Sequence, residues 1–505
     1  MMASLRDPML FEMAWAADPP LLVNPDLGVA KLTSGNPAKS LRSDVTLLDS
    51  TDHRLLRSGV VLAHRVVDSL GEWYMDSPGW GPWLPQDCSV TLDGAGELPL
   101  DFRCLIKPFL RGAPLSPSAA LRCDRREMSL VGPGGAALAE IRDDRITVTR
   151  SGVTVSRARE ITLTPTADMS PRLRDWVASR VIALGGTQVT VLPSTLERLG
   201  PRIGALPDFP RAVPPNVAGT LEGFVINRFA HCLRAVIEAD LTARSTGMGL
   251  HSGTAAHLIA HSREPGVLPD RPVPDELLDL GADPVTVTTM GIHDDRHGRI
   301  DSLLEALGAL GTVIDGLSEL LEPRWVQEAT LLLDKVRELD TDRITVHRMP
   351  ESYYSLLTMM VVAVRAPKLT CDGTTPARPV LTAMVRRGVS QVVRLCDRLE
   401  ADSDHGWARA RRCTDVTTAL ASTLKESKRA AKVAHRLGRL HRVLAGTGSV
   451  NEGPTPEEVA LLTPGQAFEE GRRLERRLVS TARARRQFVI DWPHRRAKLL
   501  KAVTP

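Results

Sequence analysis

The C-terminal part of the chain carries closely spaced lysines and arginines, side chains well suited to binding phosphate. Residues 386–505 contain 25 Lys and Arg against 13 Asp and Glu, although the whole 505-residue chain has a net charge of only +4. Such asymmetry within one chain predicts an anionic partner for its basic part. The alternative interpretation is a solvated helical surface that is rich in arginine and binds nothing specific.

Six of these cations share one side of a helix predicted over Thr418–Leu444. At about 100° per residue they fall within an arc of roughly 100°, whereas Val433 and Leu437 lie on the opposite side. The six are Lys425, Lys428, Arg429, Lys432, Arg436 and Arg439. Neighbouring like charges destabilise a helix by a few tenths of a kcal/mol each, so the arrangement favours binding over stability. We predict that a linear polyanion lies along this stripe and displaces counterions.

A second basic run, from Arg472 to Lys498, could supply a facing wall for the same ligand. Guanidinium groups suit this role because their planar fork pairs with two phosphate oxygens at once. Proteins that bind single-stranded nucleic acid place aromatic side chains among the cations to stack bases. The stripe contains no aromatic residue. We therefore expect a phosphate polyanion as the partner, and neither a specific nucleic acid nor a membrane.

The elements that must position these residues change along the chain. Short β-rich segments separated by turn signals predict an antiparallel sheet or β-barrel over residues 1–168, including a strand at Phe102–Ile106 and a hairpin turn at Ser151-Gly152. A helix and a proline-rich linker are expected over 169–216. Over 217–505 apolar residues recur at helical spacing, which predicts an all-α bundle. The predicted fold class is therefore α+β.

Composition limits the expected location of the protein. No apolar run approaches the ~20 residues that span a bilayer, and the first residues do not resemble a signal peptide. The seven cysteines are scattered and form no CxxC pair, which indicates neither a zinc site nor a disulfide framework. We therefore expect a cytoplasmic protein.

The N-terminal residues resemble the CYTH domain, the triphosphate-tunnel fold. The segment Thr46–Arg65 is similar to the family passage YYDTPDxRLxxxGxxLRxR, and Arg122–Arg126 fits a later strand. The resemblance implies that Arg65 and Arg125 bind a triphosphate. It also implies catalysis by four acidic residues, Glu12, Glu140, Asp144 and Glu160. Glu12, Glu140 and Glu160 would then bind Mg²⁺ or Mn²⁺; no other cofactor is implied.

This sequence departs from the CYTH pattern at its acidic positions. Ala14 and Trp15 stand where the opening ExExK motif has its second acid and its lysine, and Thr162 replaces an acid in a late strand. Fewer carboxylates bind a hard divalent cation more weakly. We therefore expect an inactive tunnel. The alternative function is a metal-dependent triphosphatase that hydrolyses tripolyphosphate or nucleoside triphosphates.

The C-terminal residues resemble CHAD, the conserved-histidine α-helical domain. Tyr353–Leu357, Leu437–Leu444 and the segment from Ala467 to Trp492 carry the similarity. The resemblance implies a bacterial CYTH–CHAD protein whose helical bundle binds inorganic polyphosphate. It assigns phosphate binding to the remaining members of two His/Arg motifs, Arg296, His405, Arg409 and Arg412. A third hypothesis is that both domains have lost their ligands and act as scaffolds for protein partners.

Overall fold

The protein has a ten-stranded antiparallel sheet in its N-terminal part and helices in its C-terminal part, which confirms the α+β fold class. The structure is a computed structural model, and its described residues fall into two compact units. It describes residues 7–34, 42–67, 70–91, 96–199, 207–211, 213, 219–247, 292–338, 349–400, 404–424, 428–448, 459–460 and 462–503.

The sheet belongs to the first unit, and all of its strand pairs are antiparallel. Its strands are Met9–Met13 (β1), Lys31–Ser34 (β2), Arg42–Asp49 (β3), Val61–Val67 (β4), Leu70–Asp76 (β5), Cys88–Thr91 (β6), Ser116–Val131 (β7), Ala137–Arg150 (β8), Val153–Pro165 (β9) and Thr187–Val189 (β10). They pair in the order β10-β1-β9-β8-β7-β3-β4-β5-β6, and β2 pairs with β7.

Four helices accompany the sheet in sequence: Arg54–Arg57 (α1), Leu100–Leu110 (α2), Pro171–Ala183 (α3) and Thr195–Arg198 (α4). On one face of the sheet, Phe11 and Ile161 pack in a core with Val177 and Val181 of α3, and all four side chains are buried. Full burial of each such side chain contributes about 1.5–3 kcal/mol. Because side chains alternate along a strand, the neighbouring residues of β1, β8 and β9 project from the opposite face.

The predicted hairpin at Ser151-Gly152 is confirmed. It joins β8 to β9, and Arg150 pairs with Val153 on either side of the turn. Both turn residues lie in the left-handed region, with φ of 49° and 78°. These angles are those of a type I′ turn, whose twist matches that of the two strands.

The predicted strand over Phe102–Ile106 is wrong, because these residues belong to helix α2. The buried side chains Phe102, Leu105 and Phe109 recur at the three- and four-residue spacing of a helix face. A five-residue window is too short to distinguish this period from that of a buried strand.

The helices from Leu221 onward are Leu221–Gly247 (α5), Ile292–Leu317 (α6), Pro323–Arg337 (α7), Glu351–Arg365 (α8), Ala377–Cys396 (α9), Asp404–Thr423 (α10), Lys428–Ala445 (α11) and Pro464–Val503 (α12). Within the described ranges, none of the helices combines the length and the apolar character needed to span a membrane.

The single helix predicted over Thr418–Leu444 is wrong, because α10 ends at Thr423 and α11 begins at Lys428. The two helices pack against each other, and α11 buries Leu437 and Leu444. Packing an amphipathic face stabilises a helix more than extending it into solvent, which favours two shorter helices. Lys425 lies outside the described residues, and the other five cations of the predicted stripe lie on α11.

Candidate functional site

Three of the four acidic residues proposed from the CYTH resemblance lie in one row across the sheet. Glu12 of β1 stands directly opposite Glu160 of β9, and Glu160 stands opposite Asp144 of β8. Arg125 of β7 continues the row opposite Asp144. Residues that face each other across antiparallel strands project from the same side of the sheet, so these four side chains share the face opposite the α3 core.

Arginines occupy the buried carboxylates of this row. Asp144 accepts hydrogen bonds from Arg125 Nε at 2.8 Å and Nη2 at 3.2 Å, and Arg142 Nε lies 3.0 Å from Oδ2 of the same carboxylate. Glu160 accepts a hydrogen bond from Arg198 of α4. Burial disfavours the charge of Arg125, but the Asp144 carboxylate outweighs this effect and raises the pKa of the guanidinium above its usual value. Each of the two buried acids of the row is therefore paired with arginine.

Glu140 and Arg65 lie away from the row. Glu140 precedes Asp144 by four residues on β8, which separates them by roughly 13 Å along the strand. Its side chain is exposed. Arg65 of β4 donates a hydrogen bond to Glu72 and lies 4.8 Å from the ring centre of Tyr74. Arg65 and Arg125, which the resemblance predicts to bind a triphosphate, thus belong to two separate ion pairs.

The described residues of the sheet do not fit a Mg²⁺ or Mn²⁺ site. Such ions need several carboxylate or carbonyl oxygens that point to one centre. In the described ranges, no group of three His, Cys, Asp or Glu side chains is placed to hold a metal ion. The buried members of the row, Asp144 and Glu160, instead bind arginines. We therefore derive no metal-dependent step from this face.

The basic side of α11 is exposed along the part of the stripe that the structure describes. Lys428, Arg429, Lys432 and Arg439 are exposed and Arg436 is half-buried. Val433, Ala434, Leu437, Leu440 and Leu444 are buried on the other side. The helical period therefore separates charge from core as the sequence predicted, but on a helix that begins only at Lys428.

Helix α12 forms a second wall opposite this basic side. The two helices enclose a cleft of about 510 Å³. Its charged and imidazole side chains are Lys432, His435, Arg436 and Arg439 from α11 and Asp491, His494, Arg495 and Lys498 from α12. Leu440, Trp492 and Leu499 complete the lining. Five lysines and arginines thus share one cleft with a single carboxylate.

The carboxylate of the cleft is already engaged. Asp491 lies 3.1 Å from Arg495 Nη2 and accepts a hydrogen bond from the Gln487 amide at 3.0 Å. In the part of the chain that the structure describes, Lys432, Arg436, Arg439 and Lys498 form no ion pair with an acid. Nearer the start of α12, the exposed Arg472 and Arg473 pair with Glu469 and Glu470 one turn away. Four of the five cleft cations are therefore without an acidic partner among the described residues.

Buried aromatic and polar contacts hold α12 in place beside the cleft. Trp492 stacks on Phe488 with ring centres 5.6 Å apart and donates a hydrogen bond from Nε1 to Asp397 at 2.7 Å. Buried Arg485 binds Asp404 and donates to the carbonyl oxygens of Thr447 and Gly448. These contacts tie α12 to residues beside α9, α10 and α11. The second wall is therefore fixed by core packing, independently of the exposed charges.

The residues assigned from the CHAD resemblance lie elsewhere in the described structure. His405, Arg409 and Arg412 are exposed on α10. Arg409 and Arg412 line a different cleft of about 300 Å³, where Arg412 lies 2.7 Å from Asp315. Arg296 falls within α6, and its side chain lies outside the described set. Among the described side chains, His405, Arg409 and Arg412 do not line the α11–α12 cleft.

The sequence interpretation missed the two histidines of the cleft. His435 lies about 20° beyond the edge of the predicted cationic arc on the same helical wheel. A wheel that included imidazoles would have found it. No comparable pattern in the sequence singled out His494. Helix α12 carries many exposed polar residues, and only the structure shows which of them face α11.

Comparisons with known proteins give two uncharacterized curated relatives and weakly similar solved structures. No protein-family model matches the chain. Two uncharacterized proteins of Mycobacterium tuberculosis, MT2285 of strain CDC 1551 / Oshkosh and Rv2226 of strain H37Rv, are each 25% identical over 186 residues, which is 36% of this chain. The match covers 34% of each relative, so the chain spans about a third of the length of the curated relatives it matches.

Two solved structures show weak similarity. A candidate adenylate cyclase of Bacillus halodurans has a TM-score of 0.21 and 14% identity, covering 32% of this chain and 84% of its own. The candidate adenylyl cyclase HpAC1 of Hippeastrum is described as having a dominant triphosphatase activity. It has a TM-score of 0.20 and 11% identity, and the match covers 38% of this chain and 92% of HpAC1. The chain is thus similar to each of these proteins over about a third of its length.

Proposed function

We propose that the protein binds inorganic polyphosphate, or a related phosphate polyanion, in the cleft between α11 and α12. One observation carries this proposal: five lysines and arginines from two helices line the cleft, with Asp491 as its one acidic side chain. Bringing like charges together is unfavourable unless an anion joins them, because each adjacent pair on a helix costs a few tenths of a kcal/mol. A phosphate chain would neutralise both walls at once and release its counterions.

The lining of the cleft favours a ligand without bases. Trp492 is the aromatic residue of the lining, and its ring already stacks on Phe488 at an interplanar angle of 13°. It is also 6% exposed, so it offers no free face to a nucleobase. Binders of single-stranded nucleic acid depend on such faces. Phosphate charge alone, presented along a flexible chain, suits this cleft better.

Salt dependence of binding tests the proposal. We expect long-chain polyphosphate to shift the protein on a native gel at low salt. Five phosphate contacts should give a slope of about −3.5 in a plot of log affinity against log salt concentration, at roughly 0.7 per contact. Lys432→Ala with Arg436→Ala should reduce the slope to about −2 and weaken binding more than tenfold.

A matched control separates the cleft from general surface charge. Arg386 and Arg394 are exposed on α9 and do not line the cleft. Replacing both by alanine removes the same charge, and we expect the affinity to change by less than about twofold. Equal weakening by the two double variants would show diffuse electrostatic binding. Absence of any shift at low salt would overturn the proposal and favour the scaffold hypothesis.

The sheet is proposed to be catalytically inactive, and a triphosphatase is the second candidate. The row Glu12, Glu160 and Asp144 is the observation that favours the second candidate, because it aligns three carboxylates on one face. Against it, Asp144 and Glu160 are bound by arginines. Phosphate release from tripolyphosphate with Mg²⁺ or Mn²⁺ decides between them. If the native protein releases phosphate and the variants Glu160→Gln and Glu140→Ala do not, the triphosphatase is established.

A further inference from the structure

Two imidazoles face the proposed ligand from opposite walls of the cleft. His435 lies on α11 and His494 on α12, and both side chains are exposed. Imidazole is the side chain whose charge ordinarily changes between about pH 5 and pH 8. Protonation of both histidines would add two positive charges to a cleft whose lysines, arginines and Asp491 already carry a net charge of +4.

The groups that face these imidazoles are mostly cationic. Along α11 they are Lys432, Arg436 and Arg439, and along α12 they are Asp491, Arg495 and Lys498. Asp397, at the end of α9, accepts a hydrogen bond from Trp492 and lies 3.2 Å from Arg496 Nε. Both nearby carboxylates are thus engaged with donors on α12. A bound phosphate chain would attract a protonated imidazole.

We infer that His435 and His494 bind phosphate when protonated and make polyphosphate affinity rise as the pH falls. The inference rests on the proposed function of the cleft. Because the phosphate chain favours the protonated histidines, binding takes up protons from solvent, and the two equilibria are linked reciprocally. Two exposed ion pairs of moderate strength correspond to roughly a tenfold gain in affinity. Two additional contacts should also steepen the salt slope by about 1.4.

The experiment measures affinity for long-chain polyphosphate at pH 5.5 and pH 8.0 at constant ionic strength. Long chains are needed because terminal phosphates titrate near pH 6, whereas they form a negligible share of a long chain. We expect the native protein to bind roughly tenfold more tightly at pH 5.5. The double variant His435→Gln with His494→Gln should lose this gain. His441→Gln is the matched control, because His441 lies on α11 but lines another cleft beside Asp415, and the gain should persist.

The outcomes distinguish this inference from the function on which it rests. Equal affinity at the two pH values, together with the loss expected for Lys432→Ala and Arg436→Ala, overturns the histidine inference and leaves the proposed function standing. A gain at pH 5.5 that survives in the double glutamine variant, or that disappears in His441→Gln, also overturns it. No binding at either pH defeats both. Circular dichroism of each variant at both pH values confirms that the fold is retained.

Discussion

The sheet face and the helical cleft both gather charged side chains, but they differ in how those charges are satisfied. On the sheet, Arg125 and Arg142 bind Asp144, and Arg198 binds Glu160, with the carboxylates buried. In the cleft, cations from α11 and α12 face solvent, and Asp491 is the one acid in the lining. The sheet thus encloses internal ion pairs, whereas the cleft displays charge that an external anion could satisfy.

This difference separates charges that support the fold from charges available for binding. Removing one partner of a buried ion pair leaves the other charge without compensation and destabilises the protein strongly. Removing an exposed charge that has only like-charged neighbours carries no such penalty, and it can relieve repulsion. Stability and affinity should therefore respond in opposite ways at the two places, and substitutions can test this.

Asp144→Ala should produce the largest effect. It leaves the largely buried Arg125 and the partly exposed Arg142 without their carboxylate, and we expect the free energy of unfolding to fall by about 3 kcal/mol. Urea denaturation measures this change. Asp44→Ala is the control, because its pair with Arg122 lies in the same sheet but both side chains are about half exposed. That loss should stay below about 1 kcal/mol. Equal losses of stability in the two variants would show that buried and exposed ion pairs contribute alike to the fold.

Reversing charge on both walls of the cleft should have the next largest effect. In Arg436→Glu with Lys498→Glu, two contacts are lost and two repulsive ones appear, so polyphosphate affinity should fall at least about 100-fold at moderate salt. This corresponds to about 2.7 kcal/mol of binding free energy. Fluorescence anisotropy with labelled polyphosphate measures the loss. Retention of affinity within about threefold would show that the ligand does not bind between these helices.

The residues that the sequence could predict are those whose arrangement depends on one element alone. Lys428, Lys432 and Arg439 could be placed on one side of α11 because helical period fixes their direction locally. The hairpin at Ser151-Gly152 was predictable for the same reason, since the turn residues specify it. In both cases no distant part of the chain is needed to determine the geometry.

The arrangements that escaped prediction depend on residues far apart in sequence. Arg198 binds Glu160 from a short helix 38 positions later in the chain. Strand register decides that Asp144 faces Arg125, and a shift of one residue would place them on opposite sides of the sheet. Similarly, α12 contains many exposed arginines, but only packing of Phe488 and Trp492 determines that Arg495 and Lys498 face α11.

The variant Arg412→Ala tests where polyphosphate binds. The family resemblance predicts a site that includes Arg412, whereas the proposed site is the cleft between α11 and α12. Arg412 pairs with Asp315 at 2.7 Å and lines a separate cleft. We expect its loss to reduce the free energy of unfolding by about 0.5 kcal/mol and polyphosphate affinity by less than about threefold. A binding isotherm at low salt measures the second effect. A tenfold loss would move the binding site to α10 and support the resemblance instead.

The smallest expected effect is the most diagnostic. Removing a charge should raise the free energy of unfolding at the cleft, whereas it should lower it on the sheet. Lys432 stands four residues from both Lys428 and Arg436 on the exposed side of α11. Each like-charged pair at this spacing costs about 0.2–0.5 kcal/mol, and glutamine has nearly the helix propensity of lysine. Lys432→Gln should therefore raise the free energy of unfolding by about 0.5 kcal/mol while it weakens polyphosphate binding several-fold.

Thermal unfolding without and with polyphosphate measures both parts of this last prediction. Without ligand, the Lys432→Gln protein should melt one to two degrees higher, about what a gain of 0.5 kcal/mol gives in a domain of this size. With saturating polyphosphate the order should reverse, because the native protein gains more from its tighter ligand. Destabilisation in both conditions would mean that Lys432 supports the fold, as Arg125 does on the sheet. The cleft would then hold structural charges too.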